Sequence, residues 1–348
     1  MTTTRSHRAP LRAGHTPRHA GRRGTRARTR RRRTSPQVTS PRGAAPRGSR
    51  RRNVLMVVVA SLGLGLILYP SAADWFATLG HNSEISGYAR EVENLPTATT
   101  RALLADAREY NARLPVGQLR DPSEAPPATE DLAAQEATYR TLLDPGSSSV
   151  MGRLRYPAID ADLPIYHGTD DEVLSQGVGH LFGSSLPVGG NGTHSILTSH
   201  SGMANSKLFT DLLKARVGDQ FVVDVLDEHL YYRVDQITTV DPADVASLVI
   251  EDDEDYVTLI TCTPIGVNTH RLLVRGVRVE GPPSVEQTDG SIAANPPSVA
   301  FPSWAVAFVG GSLAFAFVPR LGAGLRTRSD DRRGRHRKGA AGRGDARG

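Results

Sequence analysis

The chain has 348 residues, of which 39% are hydrophobic, and a formal net charge of +6. This length allows one large domain or two small ones. The single cysteine excludes an intramolecular disulfide framework, a four-cysteine zinc site and a C-x-x-C redox pair. The charge is unevenly distributed, because residues 1–52 contain 17 arginines and no acidic residue, and residues 320–348 contain 10 Lys/Arg against 3 Asp. The part between these basic ends is strongly acidic.

Two uncharged segments separate the charge blocks, Val54 to Ala73 and Val299 to Val318. Twenty helical residues span about 30 Å, the thickness of a bilayer core. Because arginines precede the first segment and follow the second, the positive-inside rule predicts two transmembrane helices, an extracellular domain between them and cytoplasmic termini. A signal peptide cleaved after Ser71-Ala72-Ala73 is an alternative for the first segment, and a buried core helix for the second.

The arginine-rich N-terminal tail has no aromatic residue for base stacking and no hydrophobic periodicity. These features predict disorder rather than a nucleic-acid-binding domain. Attraction to anionic lipid headgroups accounts for the charge. We therefore expect the membrane, and no nucleic acid, as a partner of this tail.

The region between the apolar segments divides into a helical part and a β-rich part. Thr97 to Leu114 has apolar residues at helical spacing, and Thr129 is suited to cap a further short helix. From Val150 to Glu280, short β-like runs alternate with turn residues, which predicts an all-β sandwich or barrel. The predicted organisation is a disordered tail (1–53), a transmembrane helix (54–76), a helical region (77–149), a β domain (150–280), a Pro-rich linker (281–298), a second transmembrane helix (299–319) and a basic tail (320–348).

The lone cysteine is a candidate nucleophile at the end of a strand. In Tyr256 to Cys262, alternation puts Thr258, Ile260 and Cys262 on one face, and Pro264 then interrupts the run. A thiol with an ordinary pKa of about 8.5 is only a few per cent ionised at pH 7, so a nucleophilic cysteine needs an activating neighbour. A small buried hydrophobic residue is the alternative interpretation.

Two further residues are suitably placed for thiol chemistry. Arg271 opens the next strand, and it would return close to Cys262, to stabilise a thiolate or an oxyanion, if the two strands are antiparallel neighbours. His200 follows the strand Ser195 to Ser199, at a position suited to general acid/base catalysis. A surface arginine and an exposed loop histidine are the alternatives. His167, His180, His194 and His270 form no ligand pair at i, i+3 or i+4, and the acidic run at 251–255 lacks calcium-loop spacing, so we expect no metal and no cofactor.

The string Thr258 to Gly276 (TLITCTPIGVNTHRLLVRG) resembles the catalytic signature of sortases, especially class C, the pilin-polymerising type. The segments at 151 (MGRLRYPAIDADLPIYHGT) and 177 (GVGHLFGSSLPVGGNGTHSILTSHSGM) are similar to that family's first barrel strands and histidine segment. The likeness covers roughly residues 95–280. It implies an all-β fold, a closed sortase-like β-barrel of about eight strands, with an N-terminal helical and lid region and two transmembrane helices.

The resemblance also implies a function, that of a membrane-anchored cysteine transpeptidase that cleaves an LPXTG-like sorting signal between Thr and Gly. Cys262 would hold the acyl group as a thioester, His200 would donate and accept protons, and Arg271 would stabilise the oxyanion and position the substrate. The implied partners are LPXTG-type surface proteins or pilins, and an amine acceptor, either a pilin Lys or a peptidoglycan precursor. The alternatives are a housekeeping-type sortase that attaches surface proteins to peptidoglycan and a catalytically inactive surface scaffold.

Class C sortases usually carry a lid with an Asp-Pro-aromatic motif. In the matching loop, residues 115–128, this chain has Asp121-Pro122-Ser123, so that a serine replaces the aromatic residue. The missing ring removes about 1–3 kcal/mol of apolar burial. We therefore expect a weaker, more open lid, with an ordinary Pro-containing loop as the alternative.

Overall fold

The computed structural model describes residues 47–114, 129–146, 148–281 and 299–317. The chain divides into two units, Met1–Arg47 and Gly48–Gly348, and all described residues except Arg47 belong to the second. Its helices are α1 (Arg47–Asn94), α2 (Thr97–Arg113), α3 (Glu130–Tyr139), α4 (Asp171–Gln176) and α5 (Ser303–Phe317). Its strands are β1 (Val150–Tyr156), β2 (Ala161–His167), β3 (Val178–His180), β4 (Thr193–Thr198), β5 (Gln220–Val225), β6 (Glu228–Val240), β7 (Asp255–Thr263) and β8 (His270–Arg278).

The strands form a closed barrel in the order β1-β2-β3-β4-β7-β8-β6-β5, which confirms the predicted fold class. Strand β5 closes the barrel by pairing antiparallel with β1. Two pairs, β2 with β3 and β4 with β7, are parallel, and the others are antiparallel. The β4–β7 pair joins segments about 60 residues apart in the sequence, and it brings the predicted histidine strand beside the predicted cysteine strand.

Alternation along β7 and β8 covers both faces of this part of the sheet. Val257 and Leu259 face the main core inside the barrel, where they cluster with Leu272 and Val274. Ile260 is on the opposite face, where it packs in a second cluster that includes Ile196, Leu248 and Leu273. Burial of each such side chain contributes about 1.5–3 kcal/mol. Because both faces are covered along most of their length, the strands form a rigid support for the residues at their ends.

The helices before the barrel are anchored to it by specific hydrogen bonds. The Tyr88 hydroxyl of α1 donates to the Met151 carbonyl (3.0 Å) and accepts from the Leu226 amide (2.7 Å). On α2, the Asn111 side chain bonds both the amide and the carbonyl of Leu186. The predicted cap of α3 is confirmed, since the Thr129 side chain accepts from the Leu132 amide.

Among the described residues, one helix is long and apolar enough to cross a membrane. Residues Arg51–Asn94 of α1 contain a window with a mean hydropathy of 2.2, none of it buried. The second predicted span is not confirmed, because the described part of α5 comprises the 15 residues Ser303–Phe317, about 22 Å of helix. Pro302 disfavours a helical conformation at Phe301, so the helix begins later than the uncharged segment.

Candidate active site

The antiparallel ladder of β7 and β8 places Cys262 directly opposite Arg271. Cys262 is the penultimate residue of β7, and Arg271 is the second residue of β8. Residues paired in this way have Cβ atoms about 4.5–5.5 Å apart, and their side chains project from the same face of the sheet. The guanidinium stem and the thiol therefore emerge side by side at one end of the barrel.

The parallel ladder of β4 and β7 brings His200 to the other side of Cys262. Its last regular pair is Thr198 with Ile260, so that His200 and Cys262 each lie two residues further along. Hydrogen bonds continue past this pair, because the Ser199 amide donates to the Ile260 carbonyl (3.2 Å) and the Ser201 hydroxyl donates to the Cys262 carbonyl (2.7 Å). The chain on either side of His200 is thus tied to the strand that carries the cysteine.

The three predicted catalytic residues consequently form one row across three neighbouring chain segments, in the order His200, Cys262, Arg271. Adjacent strands are about 4.8 Å apart, which puts each outer residue within side-chain reach of the central thiol. All three are partly exposed, so a substrate can approach them. A thiol beside an imidazole and a guanidinium is an arrangement that suits acyl transfer through sulfur.

The surroundings of His200 include a carboxylate that the sequence analysis missed. Asp171, in the first turn of α4, has a carboxylate oxygen 3.8 Å from Nε2 of His200. Asp170 caps this short helix by accepting from the Val173 amide (3.0 Å), which fixes the position of the next residue. The Asp171 side chain is fully exposed, so its interaction with a protonated imidazole is weakened by solvent.

The guanidinium of Arg271 is held at the β7–β8 turn. Its Nη1 makes long hydrogen bonds, both 3.4 Å, to the carbonyls of Asn268 and His270. The guanidinium carries its N–H groups in a planar fork that suits a carboxylate or an oxyanion. Its charge beside the thiol suits the oxyanion of a tetrahedral intermediate.

The loop that follows His200 packs against the turn that follows Cys262. Gly202 has a φ of +73°, and a Cβ there would lie 2.4 Å from Cγ2 of Ile265. The Gly202 amide also donates to the Thr210 hydroxyl (2.8 Å). The two loops that flank the row therefore fit together only when the residue at 202 has no side chain.

A buried histidine on the same face supports the strands further back. Nε2 of His194 lies 2.7 Å from the Thr258 hydroxyl, and Nδ1 lies 2.9 Å from the Val249 carbonyl, to which it must donate. Burial lowers the pKa of His194, so the ring is neutral at pH 7. His194 therefore joins β4 and β7 to the connection between β6 and β7, and it is six residues removed from His200.

Comparison with known proteins identifies the family. A sequence profile described as the sortase domain matches residues 154–279, from within β1 to just after β8. The sortase A of Listeria monocytogenes is 30% identical over 155 residues, which make up 43% of this chain and 68% of that relative. The chain belongs to the sortase family. As a sortase it is a cysteine transpeptidase, and the family acts on surface proteins that carry sorting signals.

Solved structures support the class predicted from the sequence. Sortase C1 from Streptococcus agalactiae is 41% identical, with 57% of this chain and 98% of that chain covered and a TM-score of 0.52. Sortase C-1 from Streptococcus pneumoniae is 39% identical, with 57% and 99% covered and a TM-score of 0.50. The resemblance to class C sortases is therefore confirmed.

Two features near the site, the lid and the Ser201 contact, were not established from the sequence. The predicted lid residues Asp121, Pro122 and Ser123 lie outside the described residues, and the lid stays a prediction. The contact of Ser201 with the Cys262 carbonyl was missed, although Ser-Gly directly after a strand-end histidine is a turn signal that could have indicated it.

Proposed function

We propose that this sortase cleaves an LPXTG-like sorting signal between Thr and Gly through a thioester on Cys262, and that it transfers the acyl group to a pilin lysine. The observation that carries the proposal is the row His200, Cys262, Arg271 at the end of the barrel. The likeness to class C sortases favours a lysine acceptor over a peptidoglycan precursor.

In the first half of the proposed reaction, the Cys262 thiolate attacks the carbonyl carbon of the signal's Thr. The developing oxyanion is stabilised by the Arg271 guanidinium, which is the cross-strand neighbour of the attacking sulfur. As the tetrahedral intermediate collapses, the Thr–Gly C–N bond breaks, and His200 gives its proton to the departing glycine amine. The products are a thioester on Cys262, a free amine and a neutral imidazole.

In the second half, an incoming amine attacks the thioester carbonyl. His200 accepts the proton that the amine loses, and the Cys262 thiolate leaves as the new amide bond forms. The imidazolium regenerated in this step is the acid that the next cycle needs. Among the described residues, the carboxylate nearest to His200 is that of Asp171, which is fully exposed and has an oxygen 3.8 Å from Nε2.

An acceptor competition tests this proposal. The full chain in detergent would be incubated with a labelled LPXTG peptide together with a pilin domain that offers a lysine and a peptidoglycan-stem amine at equal concentration. We expect an amide bond to the pilin lysine, identified by mass spectrometry. Transfer to the stem amine alone would indicate a wall-attachment enzyme, and no transfer or cleavage with any sorting signal would indicate an inactive scaffold.

For the membrane topology, we propose two passes with both termini in the cytoplasm. Helix α5 packs antiparallel to α1: the Trp75 indole donates to the Ala300 carbonyl (2.7 Å), and further along, a Cβ on Gly311 would lie 2.5 Å from Leu64. Close approach at a glycine is typical of helices that pack in a bilayer. The rings of Trp75 and Trp304, with centroids 6.2 Å apart, lie at one end of this pair.

The topology can be tested by labelling cells with a membrane-impermeant maleimide. In a Cys262→Ala background, single cysteines would be introduced as Ser35→Cys, Ser329→Cys and, in helix α4 between β2 and β3, Ser175→Cys. We expect intact cells to label only Ser175→Cys, and lysed cells to label all three. Labelling of Ser329→Cys in intact cells would show that the second apolar segment does not cross the membrane.

A further inference from the structure

The loop from His200 to Phe209 is attached to the membrane helix through residues 206–208, which we call its tip. The loop is closed by a hydrogen bond from the Phe209 amide to the His200 carbonyl (3.0 Å). At the tip, the Lys207 amide donates to Oδ1 of Asp74 at 2.6 Å. Asp74 belongs to α1 and is the first charged residue after the uncharged segment. A hydrogen bond from an amide to a carboxylate is among the stronger kinds in proteins.

The tip is also a place where the backbone is strained. Leu208 has a φ of +43°, a left-handed conformation that costs a non-glycine residue free energy. Its side chain and that of Phe209 are buried in the main core. The strained residue is thus held between a core contact on one side and the Asp74 hydrogen bond on the other. Such a conformation persists only where the surroundings fix it.

A cavity of about 330 Å³ adjoins this contact. It is lined jointly by α1, by the turn between β1 and β2, by the loop tip and by the segment that leads into α5. The Lys207 ammonium lies 3.6 Å from a carboxylate oxygen of Asp160, another residue that lines the cavity. Among the described residues, the Asp74 hydrogen bond links α1 to the histidine loop at the wall of this cavity.

We propose that Asp74 is a positioning residue, through which the membrane helix fixes the loop that sets His200 beside Cys262. The inference rests on the proposed role of His200. It adds that the membrane helix helps to hold the active site in place. Loss of the carboxylate would leave the Lys207 amide without this acceptor and the Leu208 conformation less constrained. His200 would then occupy its position beside the thiol for a smaller fraction of the time.

The test uses the full chain in lipid nanodiscs and two independent readouts. The first is the rate of Cys262 alkylation by iodoacetamide as a function of pH, which is specific because the chain has one cysteine. In the wild type we expect an inflection that disappears in His200→Ala. The second is the turnover of a sorting-signal peptide, with kcat and KM determined separately.

We expect Asp74→Ala to lose the His200-dependent inflection and to lower kcat about ten-fold, with KM changed less than two-fold. Asp74→Asn keeps an acceptor oxygen, and we expect it to restore part of the inflection and part of kcat. The matched control is Asp106→Ala, which removes an exposed carboxylate from α2 and is expected to behave as the wild type.

The inference would be overturned if Asp74→Ala gave the alkylation profile of Asp106→Ala at every pH, or if the wild-type profile matched that of His200→Ala. A failure of the proposed function would give a different result, because neither the wild type nor any variant would then turn over a sorting signal. The alkylation profiles would still decide the role of Asp74.

Discussion

Cys262 and Arg271 are direct partners across the antiparallel ladder of β7 and β8, at the end of the barrel where both strands meet their connecting turn. The pairing is a property of the backbone register, so the separation of the two Cα atoms is set by the sheet and not by a flexible loop. His200, in contrast, is placed by a loop and by the hydrogen bonds on either side of it. The two flanking residues therefore differ in how rigidly they are held.

Removal of the guanidinium should impair the chemical step. We expect Arg271→Ala to lower kcat by about 10²–10³, the usual loss for an oxyanion donor, and Arg271→Lys to recover only part, because a single ammonium cannot reproduce the guanidinium fork. Steady-state cleavage of a sorting-signal peptide measures both. Arg233→Ala, an exposed position on β6, is the control. An Arg271→Ala enzyme as fast as the control would exclude this role.

The Ser201 hydroxyl should matter for turnover, because it joins the residue after His200 to the Cys262 carbonyl. A neutral hydrogen bond contributes about 0.5–1.5 kcal/mol, so we expect Ser201→Ala to lower kcat by about two- to twelve-fold, and Ser201→Thr to lower it less. Ser175→Ala, which removes a local hydroxyl bond within α4, is the matched control and should leave kcat unchanged. Equal rates for the two alanine variants would contradict the prediction.

The fit between the two loops can be tested at Gly202. An alanine there would be strained by the positive φ and would collide with Ile265, whereas alanine at Gly192 (φ +70°) meets nothing within 4 Å. Both variants should lose about 1–2 kcal/mol of stability, but only Gly202→Ala should lose most of its turnover. Thermal unfolding and peptide cleavage measure the two effects. Loss of turnover in Gly192→Ala to the same extent would attribute the effect to strain alone.

Acid should destabilise the barrel through a buried histidine. His180 is enclosed by the core, its Nε2 donates to the Ser185 carbonyl (2.8 Å) and its Nδ1 lies 2.9 Å from the Tyr139 hydroxyl. Burial lowers its pKa from 6.5 to about 3. Between these two values the unfolded chain binds a proton that the folded chain does not, so the free energy of unfolding falls as the pH falls.

The slope expected from His180 is about 1.4 kcal/mol per pH unit below pH 6.5. Burial lowers the pKa of His167 and His194 as well, so they act in the same direction. Pulse proteolysis in urea at pH 7, 6 and 5 measures the slope, and His180→Gln should reduce it. A slope unchanged by that substitution would show that His180 is not a source of the acid sensitivity.

Alternation and turn residues, which are local signals, predicted the runs that form β1 and β4 to β8 and that carry the site. They did not indicate β3, which has three residues and no pattern of its own. Local patterns also could not predict the parallel pairing of β4 with β7, because the two strands are far apart in the sequence. The barrel that contains both strands was predicted from the motif resemblance.

At the candidate site, too, the sequence predicted local relationships but not contacts between distant segments. Cys262 and Arg271 could be placed together from strand and turn patterns, since only a short turn separates their strands. The contacts that position His200 could not, because Asp171 and Asp74 reach its loop from elements far away in the chain. Helix α5 begins at Ser303 and not at Val299, since hydropathy alone does not account for Pro302.

The most direct test of the account is to trap the acyl group on sulfur. The full chain would be mixed with a labelled LPXTG peptide without an acceptor amine, and the reaction would be quenched in acid. After digestion, the mass of the peptide that contains Cys262 would be measured by mass spectrometry. The account predicts a hydroxylamine-sensitive adduct, ending in the signal's Thr, on Cys262 of the wild type and none in Cys262→Ala. Cleavage of the signal by Cys262→Ala at the wild-type rate would contradict it.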